Sequence, residues 1–523
     1  MRTLVINLTR FGDLLQTQPV VSGLKARGHE VGLVCLENFA SAVGLMRDVD
    51  AVFSLPGSEL LAGIDRDWRQ GLGLLWNWAD AELRNFLPDT VLNLTATLPG
   101  RLLTCLANGT QQAGFGLDSF GFGRNTTSWA AFLLASTRNR GCSPFNLVDQ
   151  FCEVAGLGSD ERRYELARPS ADAGAEIGRI LATAAPQGCQ GFVGFQLGAS
   201  AEFRRWPVRR FARLGAMLWE RHRLCPVLLG THDEEVLGER FAALKACPAV
   251  SLIGQTGLPA LAAALTQVRL LVTNDTGTMH LAAGLGTPLC AVFLATAQPW
   301  DTGPYAENCL CVEPDMPCHP CGFRHKCTID YACRSSVRAE SLYHYICSFL
   351  NTGAWCAAPS LEQAGLRAWL TRRDAFGDMD LASLTGHEAE DRTAWIRMQR
   401  HHYRQFLDKL HPEPMPQPPA LSSDYASVVL PVFTQAGQLL FLLGQQAKAV
   451  AAAPIPALKS KFLSNFERLT ALLSDSPQFS VLGDMWREQA QETGDDLIQL
   501  SHLIEHYGGM VEAWKESLGQ VAR

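Results

Sequence analysis

The most constraining feature of this chain is a strand–loop–helix–strand pattern near its middle. Residues 270–293 read LLVTNDTGTMHLAAGLGTPLCAVF. An apolar strand ends at Thr273, and a polar turn leads into a helix with His280 in its first turn. Gly286 ends that helix before a second apolar strand. A helix start leaves several backbone amides unpaired and carries about half a positive charge. The pattern therefore predicts either a helix cap or a phosphate site.

The same alternation of strands and helices continues over the first two thirds of the chain. One series of buried-type strands is predicted at residues 4–8, 31–36, 52–55, 90–94 and 112–115. A second series is predicted at residues 192–196, 226–229, 251–253, 270–273 and 289–293. Strands that alternate with helices form parallel sheets covered by helices. We therefore expect an α/β fold with two such domains, residues 1–168 and 169–350.

The last third of the chain has a different character. Strand signals are absent after residue 357, and helices are predicted at 361–372, 390–410 and 459–473, with a proline-rich linker at 411–419. We expect an α-helical domain over residues 357–523. Its most apolar stretch, 428–443, contains Pro431 and two glutamines, which favours a core helix over a membrane span.

Composition restricts the class of protein and its location. A chain of 523 residues with 47% hydrophobic content can form about three domains with sizeable cores. The net charge of −7 argues against a general nucleic-acid binder. The apolar run at the N-terminus is too short for a signal peptide, and no uninterrupted apolar stretch reaches about 20 residues. We therefore expect a cytoplasmic location.

The loops after three of the strands are candidate sites, because open α/β sheets bind ligands at the carboxyl ends of their strands. The loop after the first strand has a single glycine, too few for a dinucleotide fingerprint, and it contains Asp13. Asp13 is either a helix cap or a general base at the domain cleft. The loop after strand 192–196 contains Ser200, Arg204 and Arg205. Arginine pairs suit bidentate contact with phosphate.

These loops resemble the motifs of the heptosyltransferase-type glycosyltransferases, glycosyltransferase family 9. FGDLLQTQP at 11–19 is similar to the family's G-D-x-x-x-T-x-P start. GASAEFRRWP at 198–207 is similar to its P-G-A-S…K-x-W-P motif. NDTGTMHLAA at 274–283, followed by GTP at 286–288, is similar to its [ST]-N-D-[ST]-G-x-x-H-[LI]-A-A…G-x-P motif. The resemblance covers roughly residues 1–350.

The resemblance implies a GT-B fold of two facing Rossmann-like domains, the first for the acceptor and the second for the nucleotide-sugar donor. It implies an inverting glycosyltransferase that needs no metal or other cofactor. The donor is ADP-heptose by family default, and the acceptor is a lipopolysaccharide core or another cell-surface glycan. Peripheral contact with the cytoplasmic face of the inner membrane is an open expectation.

The resemblance also assigns roles to residues. Asp13 would deprotonate the acceptor hydroxyl, and Arg204, which stands at the family's lysine position, would offset charge on the leaving diphosphate. The remaining donor-binding residues would be Ser200, Arg205, Asp275, Thr276, Gly277, Thr278 and His280. Leu197 replaces the family's proline. These two departures leave the identity of the donor open.

A group of cysteines follows the last predicted α/β strand: Cys309, Cys311, Cys318, Cys321, Cys327 and Cys333. The last four are candidate ligands for zinc, and the alternative is a metal-free structural loop. Two Asp-x-Asp patterns, at 65–67 and 378–380, match the metal site of other glycosyltransferases. Neither follows a predicted strand in a cleft loop, so neither is expected to bind metal.

The helical region lies outside the resemblance and has no recognisable catalytic constellation. A protein partner, membrane association and self-association are all open for it. A second hypothesis is therefore a non-catalytic nucleotide-sugar-binding scaffold or sensor that acts through this region. The joint presence of Asp13, Arg204 and the loop at Asp275 favours the enzyme.

Overall fold

The structure is a computed structural model that describes residues 1–139, 143–322, 326–356, 365–494 and 496–521. Its contacts divide the chain into two compact units. The first unit comprises Met1–Leu117 and Asn146–Gly386, and the second comprises Asp118–Phe145 and His387–Arg523. The domain limits expected from the sequence, at residues 168, 350 and 357, stay predictions.

The strands are β1 (Arg2–Ile6), β2 (Glu30–Leu36), β3 (Ala51–Leu55), β4 (Thr90–Asn93), β5 (Gln111–Leu117), β6 (Gly123–Asn125), β7 (Gly191–Gln196), β8 (Leu224–Leu229), β9 (Val250–Ser251), β10 (Leu271–Asn274), β11 (Leu289–Val292), β12 (Leu310–Pro314), β13 (Leu366–Arg373) and β14 (Met379–Ser383).

The helices are α1 (Phe11–Leu15), α2 (Gln18–Ala26), α3 (Ala40–Val43), α4 (Gly57–Arg66), α5 (Trp68–Leu83), α6 (Leu98–Leu106), α7 (Ser128–Arg138), α8 (Leu147–Val154), α9 (Ala171–Ala184), α10 (Val208–His222), α11 (Glu235–Ala243), α12 (Leu258–Gln267), α13 (Gly277–Leu285), α14 (Pro299–Thr302), α15 (Cys333–Ser336), α16 (Ala339–Thr352), α17 (Asp391–Leu407), α18 (Ser423–Ala452), α19 (Pro456–Ser474), α20 (Ser480–Glu492) and α21 (Leu497–Val521).

The first sheet of the first unit has the strand order β3-β2-β1-β4-β5, and its strands run parallel. Its core is built from the inward side chains of these strands and of the covering helices, among them Leu4, Ile6 and Val91. The strand order reverses its direction between β1 and β4. In open α/β sheets, ligands bind at such a switch point, at the carboxyl ends of the strands.

The second sheet repeats this arrangement with the order β9-β8-β7-β10-β11-β12, again in parallel. Phe195, Val272 and Val292 are fully buried in its core. The switch point lies between β7 and β10. The loops predicted to form a site therefore follow strands at the switch points of both sheets, and the predicted α/β class is confirmed.

The prediction of a helix at residues 361–372 is wrong. Residues 361–364 lie outside the described residues, and Leu366–Arg373 form strand β13, which pairs antiparallel with β12 and β14. Trp369 and Leu366 are buried in the sheet, and Trp369 stands opposite Cys311. The sequence LRAWLTRR fits a helix as well as a strand, and pairing with β12 decides between them.

The described part of the second unit is helical apart from β6, and over residues 387–521 this agrees with the expected helical region. Among the helices that the structure describes, one, α18, is long and apolar enough to cross a membrane by length and composition. Only 33% of its apolar window is buried. Val429, Phe433 and Leu440 form the buried face. The opposite face carries exposed apolar residues, including Phe441. The core-helix prediction therefore describes one face of α18.

Candidate active site

The loop after β1 is held by a buried asparagine that the sequence analysis did not single out. Asn7 is fully buried, and its amide donates to the hydroxyl of Thr17 at 2.6 Å and to the carbonyl of Asp13 at 3.3 Å. The side-chain carbonyl of Asn7 accepts from the backbone amide of Thr9 at 3.1 Å. These bonds fix the turn that carries Asp13.

Asp13 does not cap the helix that follows this loop. The N-cap of α1 is Arg10, and Asp13 lies in the first turn. Its side chain is partly exposed. A carboxylate in the first turn is favoured by the helix dipole, which still leaves it accessible to a ligand. Of the two interpretations of Asp13, capping therefore loses its support, whereas the general-base role stays a prediction.

The loop that carries Asp13 contacts the donor loop directly. A Cβ atom on Gly12 would lie 3.1 Å from the Cα of Gly277 and 3.1 Å from the ring of His280. A Cβ atom on Gly277 would collide with the ring of Phe11. Gly277 is therefore needed for this close approach of α1 to α13, and a side chain at Gly12 would crowd it. The approach brings the loops after β1 and β10 to one place.

His280 links the same two helices from the side of α13. It is 4% exposed, and the Gln16 amide N–H donates to its Nε2 at 3.2 Å. Its backbone carbonyl accepts from the hydroxyl of Tyr164 at 3.0 Å. Because the Gln16 amide can only donate through nitrogen, Nε2 of His280 is the accepting nitrogen here. His280 thus lies beside the predicted site, at the junction of α1 and α13.

The donor loop presents backbone rather than hydroxyl groups. Thr276 is the N-cap of α13, and its Oγ1 lies 3.3 Å from Oγ1 of Thr273. Thr278 is 8% exposed, and its hydroxyl donates to the side-chain carbonyl of Gln196 at 3.2 Å. The Thr278 side chain therefore holds the loop, while the first-turn amides supply the expected anion donors.

A second buried asparagine connects the two donor-side loops. The amide of Asn274 donates to three carbonyls in the loop after β7, those of Gln196, Leu197 and Gly198, at 3.0 to 3.3 Å. The side-chain carbonyl of Asn274 accepts from the backbone amide of Trp206 at 2.8 Å. The residue is fully buried. The sequence analysis placed Asn274 in a motif, but only the tertiary contacts show this bridging role.

The two candidate arginines point to different partners. Nε of Arg204 donates to the hydroxyl of Thr296 at 2.8 Å, and its Nη1 lies 3.7 Å from the carboxylate of Asp275. Both members of this ion pair are 11% exposed. Nε of Arg205 instead donates to the Ala199 carbonyl at 3.2 Å. Only Arg204 of the two therefore carries positive charge to the loop at Asp275.

Ser200 lies at the exposed tip of the loop after β7, two residues from Gly198. Glu234 packs closely on Gly198, where a Cβ atom would displace its carboxylate. Glu234 in turn accepts from the side-chain amide of Gln196 at 3.1 Å. Glu234 therefore packs against the backbone of this loop, whereas Ser200 is exposed to solvent.

The cysteines separate into two sets. Cys311 lies in β12 and Cys309 just before it, and both are buried in the sheet core. The other four belong to the following segment: Cys318, Cys321, Cys327 and Cys333. Burial, and then the charges of the other three thiols, raises the pKa of Cys321 to about 11. Among the described residues, no three of these sulfur atoms lie within 4.8 Å of one another. The structure therefore shows no converged zinc ligand set there.

The cysteine segment nevertheless touches the site. The Cys321 amide donates to the carbonyl of Ala295 at 2.8 Å. Ala295 precedes Thr296, the residue that binds Arg204. The segment thus supports the loop after β11, close to the donor side.

The two Asp-x-Asp patterns have structural roles. Asp67 caps α5 by accepting from the Arg69 amide at 3.0 Å. Asp378 is fully buried and lies 2.7 Å from Arg162, whose guanidinium also lies 3.5 Å from Asp149. Neither pattern lies at a switch point of the sheets.

Comparison with known proteins relates part of this chain to a known family. Residues 131–331 match the model of glycosyltransferase family 9 (heptosyltransferase). This range contains the loops after β7 and β10 but not Asp13. Lipopolysaccharide heptosyltransferase 1 of Pseudomonas aeruginosa is 25% identical over 336 residues, which is 63% of this chain and 88% of that protein.

Two further comparisons differ in extent. Lipooligosaccharide heptosyltransferase 2 of Haemophilus influenzae is 32% identical over 123 residues, so the chain spans 34% of that protein and 22% of its own length is aligned. The structure of Escherichia coli ADP-heptose lps heptosyltransferase II is 17% identical with a TM-score of 0.50, covering 68% of this chain and 99% of that one. This likeness shows the fold.

The two Rossmann-like sheets give this chain the GT-B fold. The matched region is similar to glycosyltransferase family 9, the heptosyltransferase family, which confirms the predicted resemblance for the loops after β7 and β10.

Proposed function

We propose that this protein is an inverting, metal-independent glycosyltransferase of lipopolysaccharide biosynthesis. It moves a sugar, heptose by family default, from a nucleotide diphosphate donor to a lipopolysaccharide core or another cell-surface glycan. The observation that carries the proposal is the contact between α1 and α13 at Gly12 and Gly277. This contact joins a partly exposed carboxylate to an anion-binding helix start.

In this proposal Asp13 takes the proton from the acceptor hydroxyl. The hydroxyl oxygen then attacks the anomeric carbon of the donor, and the bond from that carbon to the diphosphate oxygen breaks. A single displacement inverts the configuration at that carbon. A base positioned in this way contributes about a hundredfold to ten-thousandfold in rate.

The departing diphosphate gains negative charge, which fixed positive groups can stabilise without reorganisation. The first-turn amides of α13 and the guanidinium of Arg204 are such groups. Nη1 of Arg204 faces the carboxylate of Asp275 at 3.7 Å. We propose that a diphosphate competes with Asp275 for this guanidinium. We also propose that Ser200, at the exposed loop tip, contacts the donor.

The two arginines offer a direct test of the donor site. The stability of the protein is followed by thermal unfolding with ADP-, UDP-, GDP- and dTDP-sugars. At a concentration about 100 times its Kd, the true donor stabilises the fold by about 2.7 kcal/mol. We expect one nucleotide class to raise the Tm, Arg204→Ala to abolish most of this rise, and the neighbouring Arg205→Ala to retain most of it.

The outcomes separate the two hypotheses for this chain. If no nucleotide sugar raises the Tm, the donor-site assignment is wrong. If one raises it but no sugar transfer to any extracted glycan follows, the protein is a nucleotide-sugar-binding scaffold or sensor.

A further inference from the structure

A segment between α8 and α9 is fastened along α13, the helix that begins at the proposed donor site. The hydroxyl of Tyr164 donates to the backbone carbonyl of His280 at 3.0 Å. The backbone amide of Leu166 donates to the carbonyl of Gly284 at 2.8 Å. The Leu166 side chain also packs on Gly284, where a Cβ atom would lie 2.6 Å from it. The segment therefore holds α13 at two points about one helical turn apart.

A pair of buried tyrosines continues from this segment into the interior of the α/β unit. The rings of Tyr164 and Tyr305 meet edge to face, with their centroids 6.2 Å apart. The hydroxyl of Tyr305 donates to Oδ1 of Asp149, on α8, at 2.6 Å. The guanidinium of Arg373 lies over the Tyr305 ring, 4.1 Å from its centroid. A hydrogen bond and a cation–π contact therefore fix Tyr305, and its ring limits where Tyr164 can lie.

The hydrogen bond of Tyr305 ends in a buried ion cluster formed by Asp149, Arg162 and Asp378. Nη1 of Arg162 lies 2.7 Å from the carboxylate of Asp378 and 3.5 Å from that of Asp149. Both carboxylates are fully buried, and the Arg162 side chain is 3% exposed. The Met379 amide, at the start of β14, donates to Oδ2 of Asp149 at 2.9 Å. Removing one partner would leave an uncompensated buried charge, so the cluster holds one geometry.

We propose that Tyr164 is a positioning residue for α13, and that Tyr305 transmits the geometry of the buried ion cluster to it. Stabilising a leaving diphosphate requires the first-turn amides of α13 to be held in place before the reaction. Tyr164 acts on these amides through the carbonyl of His280 and not on the reacting atoms. The inference rests on the proposed donor site, and it adds two tyrosines outside the three loop motifs to the residues that serve it.

The buried ion cluster makes this positioning depend on pH. Burial, and then the charge of Asp378, raises the pKa of Asp149 to about 7. The titratable and charged groups around Asp149 are Cys152 and Glu153 of α8, Arg162, Tyr305, Arg373 of β13, and Asp378. Burial raises the pKa of Cys152 and of Tyr305, so both stay neutral. The two guanidinium groups therefore balance the other two carboxylates only while Asp149 is protonated. This stabilisation is fully present below about pH 3.9 and is lost as the pH rises through about 7.

Hydrogen exchange of the α13 amides in the full-length protein tests the inference without any ligand. Protection factors, which correct for the intrinsic effect of pH on exchange, are compared at pH 6 and pH 8. Loss of one buried hydrogen bond should lower the protection of α13 about fivefold in Tyr164→Phe and in Tyr305→Phe. In wild type this protection should fall about tenfold from pH 6 to pH 8, and Asp149→Asn should remove the fall.

Tyr345→Phe is the matched control. Tyr345 is fully buried in the core of the second sheet, and within the described ranges its hydroxyl has no hydrogen-bond partner. Removing that hydroxyl should keep the protection of α13 within about twofold of wild type. Helix α10, which packs on α16 and β8, is the reference within each variant, and its protection should not change in Tyr164→Phe.

Three results would overturn the inference: α13 protection in Tyr164→Phe that equals that of Tyr345→Phe, an equal loss of protection in α10 and α13, or a fall with pH that persists in Asp149→Asn. The donor site is tested separately by the thermal unfolding described above. If α13 responds as expected but no nucleotide sugar raises the Tm, the donor-site assignment is wrong while the positioning of α13 by Tyr164 stands.

Discussion

The two units of the molecule bury polar side chains for different purposes. In the α/β unit, three buried asparagines stand at or just beyond the carboxyl ends of strands: Asn7, Asn93 and Asn274. Each bonds to loop backbone, as when the side-chain carbonyl of Asn93 accepts from the backbone amide of Thr95 at 2.8 Å. A loop that leaves a sheet has lost its ladder partners, and a side-chain amide replaces them.

In the helical unit, a buried polar side chain lies inside the packing instead. His402 is 1% exposed, its ring stacks on that of Trp514 with centroids 5.0 Å apart, and its Nε2 lies 3.1 Å from the hydroxyl of Ser517. Helices satisfy their own backbone, and His402 bonds to a side chain of a neighbouring helix. The comparison teaches that these three asparagines hold loops at strand ends in one unit, whereas His402 joins α17 to α21 in the other.

The largest expected effect is on the transfer rate, and it tests whether the loop after β1 is catalytic. Asp13→Asn keeps the side-chain volume but removes the proton acceptor. Transfer should therefore fall about a thousandfold. The rate is measured with the donor that raises the Tm, and the donor-induced Tm rise serves as the control, because Asp13 is assigned to the acceptor. Full transfer by Asp13→Asn would remove the general-base assignment.

The next largest effect is on stability and donor affinity, and it distinguishes the loop after β1 from the loops after β7 and β10. Asn274→Ala leaves three carbonyls and one amide in the donor loops without their buried partner, and should lower the free energy of unfolding by about 3 kcal/mol or more. It should also weaken donor binding, because its bonds join two loops. Asn7→Ala disturbs one turn and should leave donor affinity within about threefold while reducing transfer. Denaturant unfolding and donor titration measure both.

An equal loss of donor affinity in Asn7→Ala and Asn274→Ala would break this distinction. It would mean that the contact between α1 and α13, and not the bridge from Asn274, organises the donor site.

The smallest effect concerns the helical unit and depends on pH. Burial, and then the charge of His401, lowers the pKa of His402 to about 3. The pKa of a histidine in the unfolded chain is near 6.5, so between about pH 6.5 and 3 the unfolded chain binds a proton at His402 that the folded chain does not bind. The stability contribution is therefore fully present above about pH 6.5 and is lost as the pH falls toward 3. At pH 5 the loss should be about 2 kcal/mol.

Urea unfolding at pH 7.5 and pH 5 measures this loss. His402→Gln should flatten the pH dependence, whereas His401→Gln, its more exposed neighbour, should keep it. If both substitutions keep the same acid sensitivity, His402 does not govern the stability of the helical unit.

Much of the α/β unit could be predicted, because buried parallel strands are short apolar runs that end in turn residues. β7 and β10 were found in this way, and with them the loops that carry Arg204 and Asp275. β13 could not be predicted, since its sequence, LRAWLTRR, fits a helix as well as a strand. Its partner β12 is a short strand among cysteines, and the pairing of the two is a tertiary contact.

By itself the sequence determined the α/β class, the positions of the three loops and the family they resemble, because these depend on local periodicity and on short motifs. Only the tertiary structure decided which side chains serve those loops. It distinguished Arg204 from Arg205, it gave Asn274 its four bonds, and it joined Gly12 to Gly277 across more than 260 residues. Hydrogen bonds and close packing between distant segments have no signature in local sequence, since they exist only after the two sheets have folded and met.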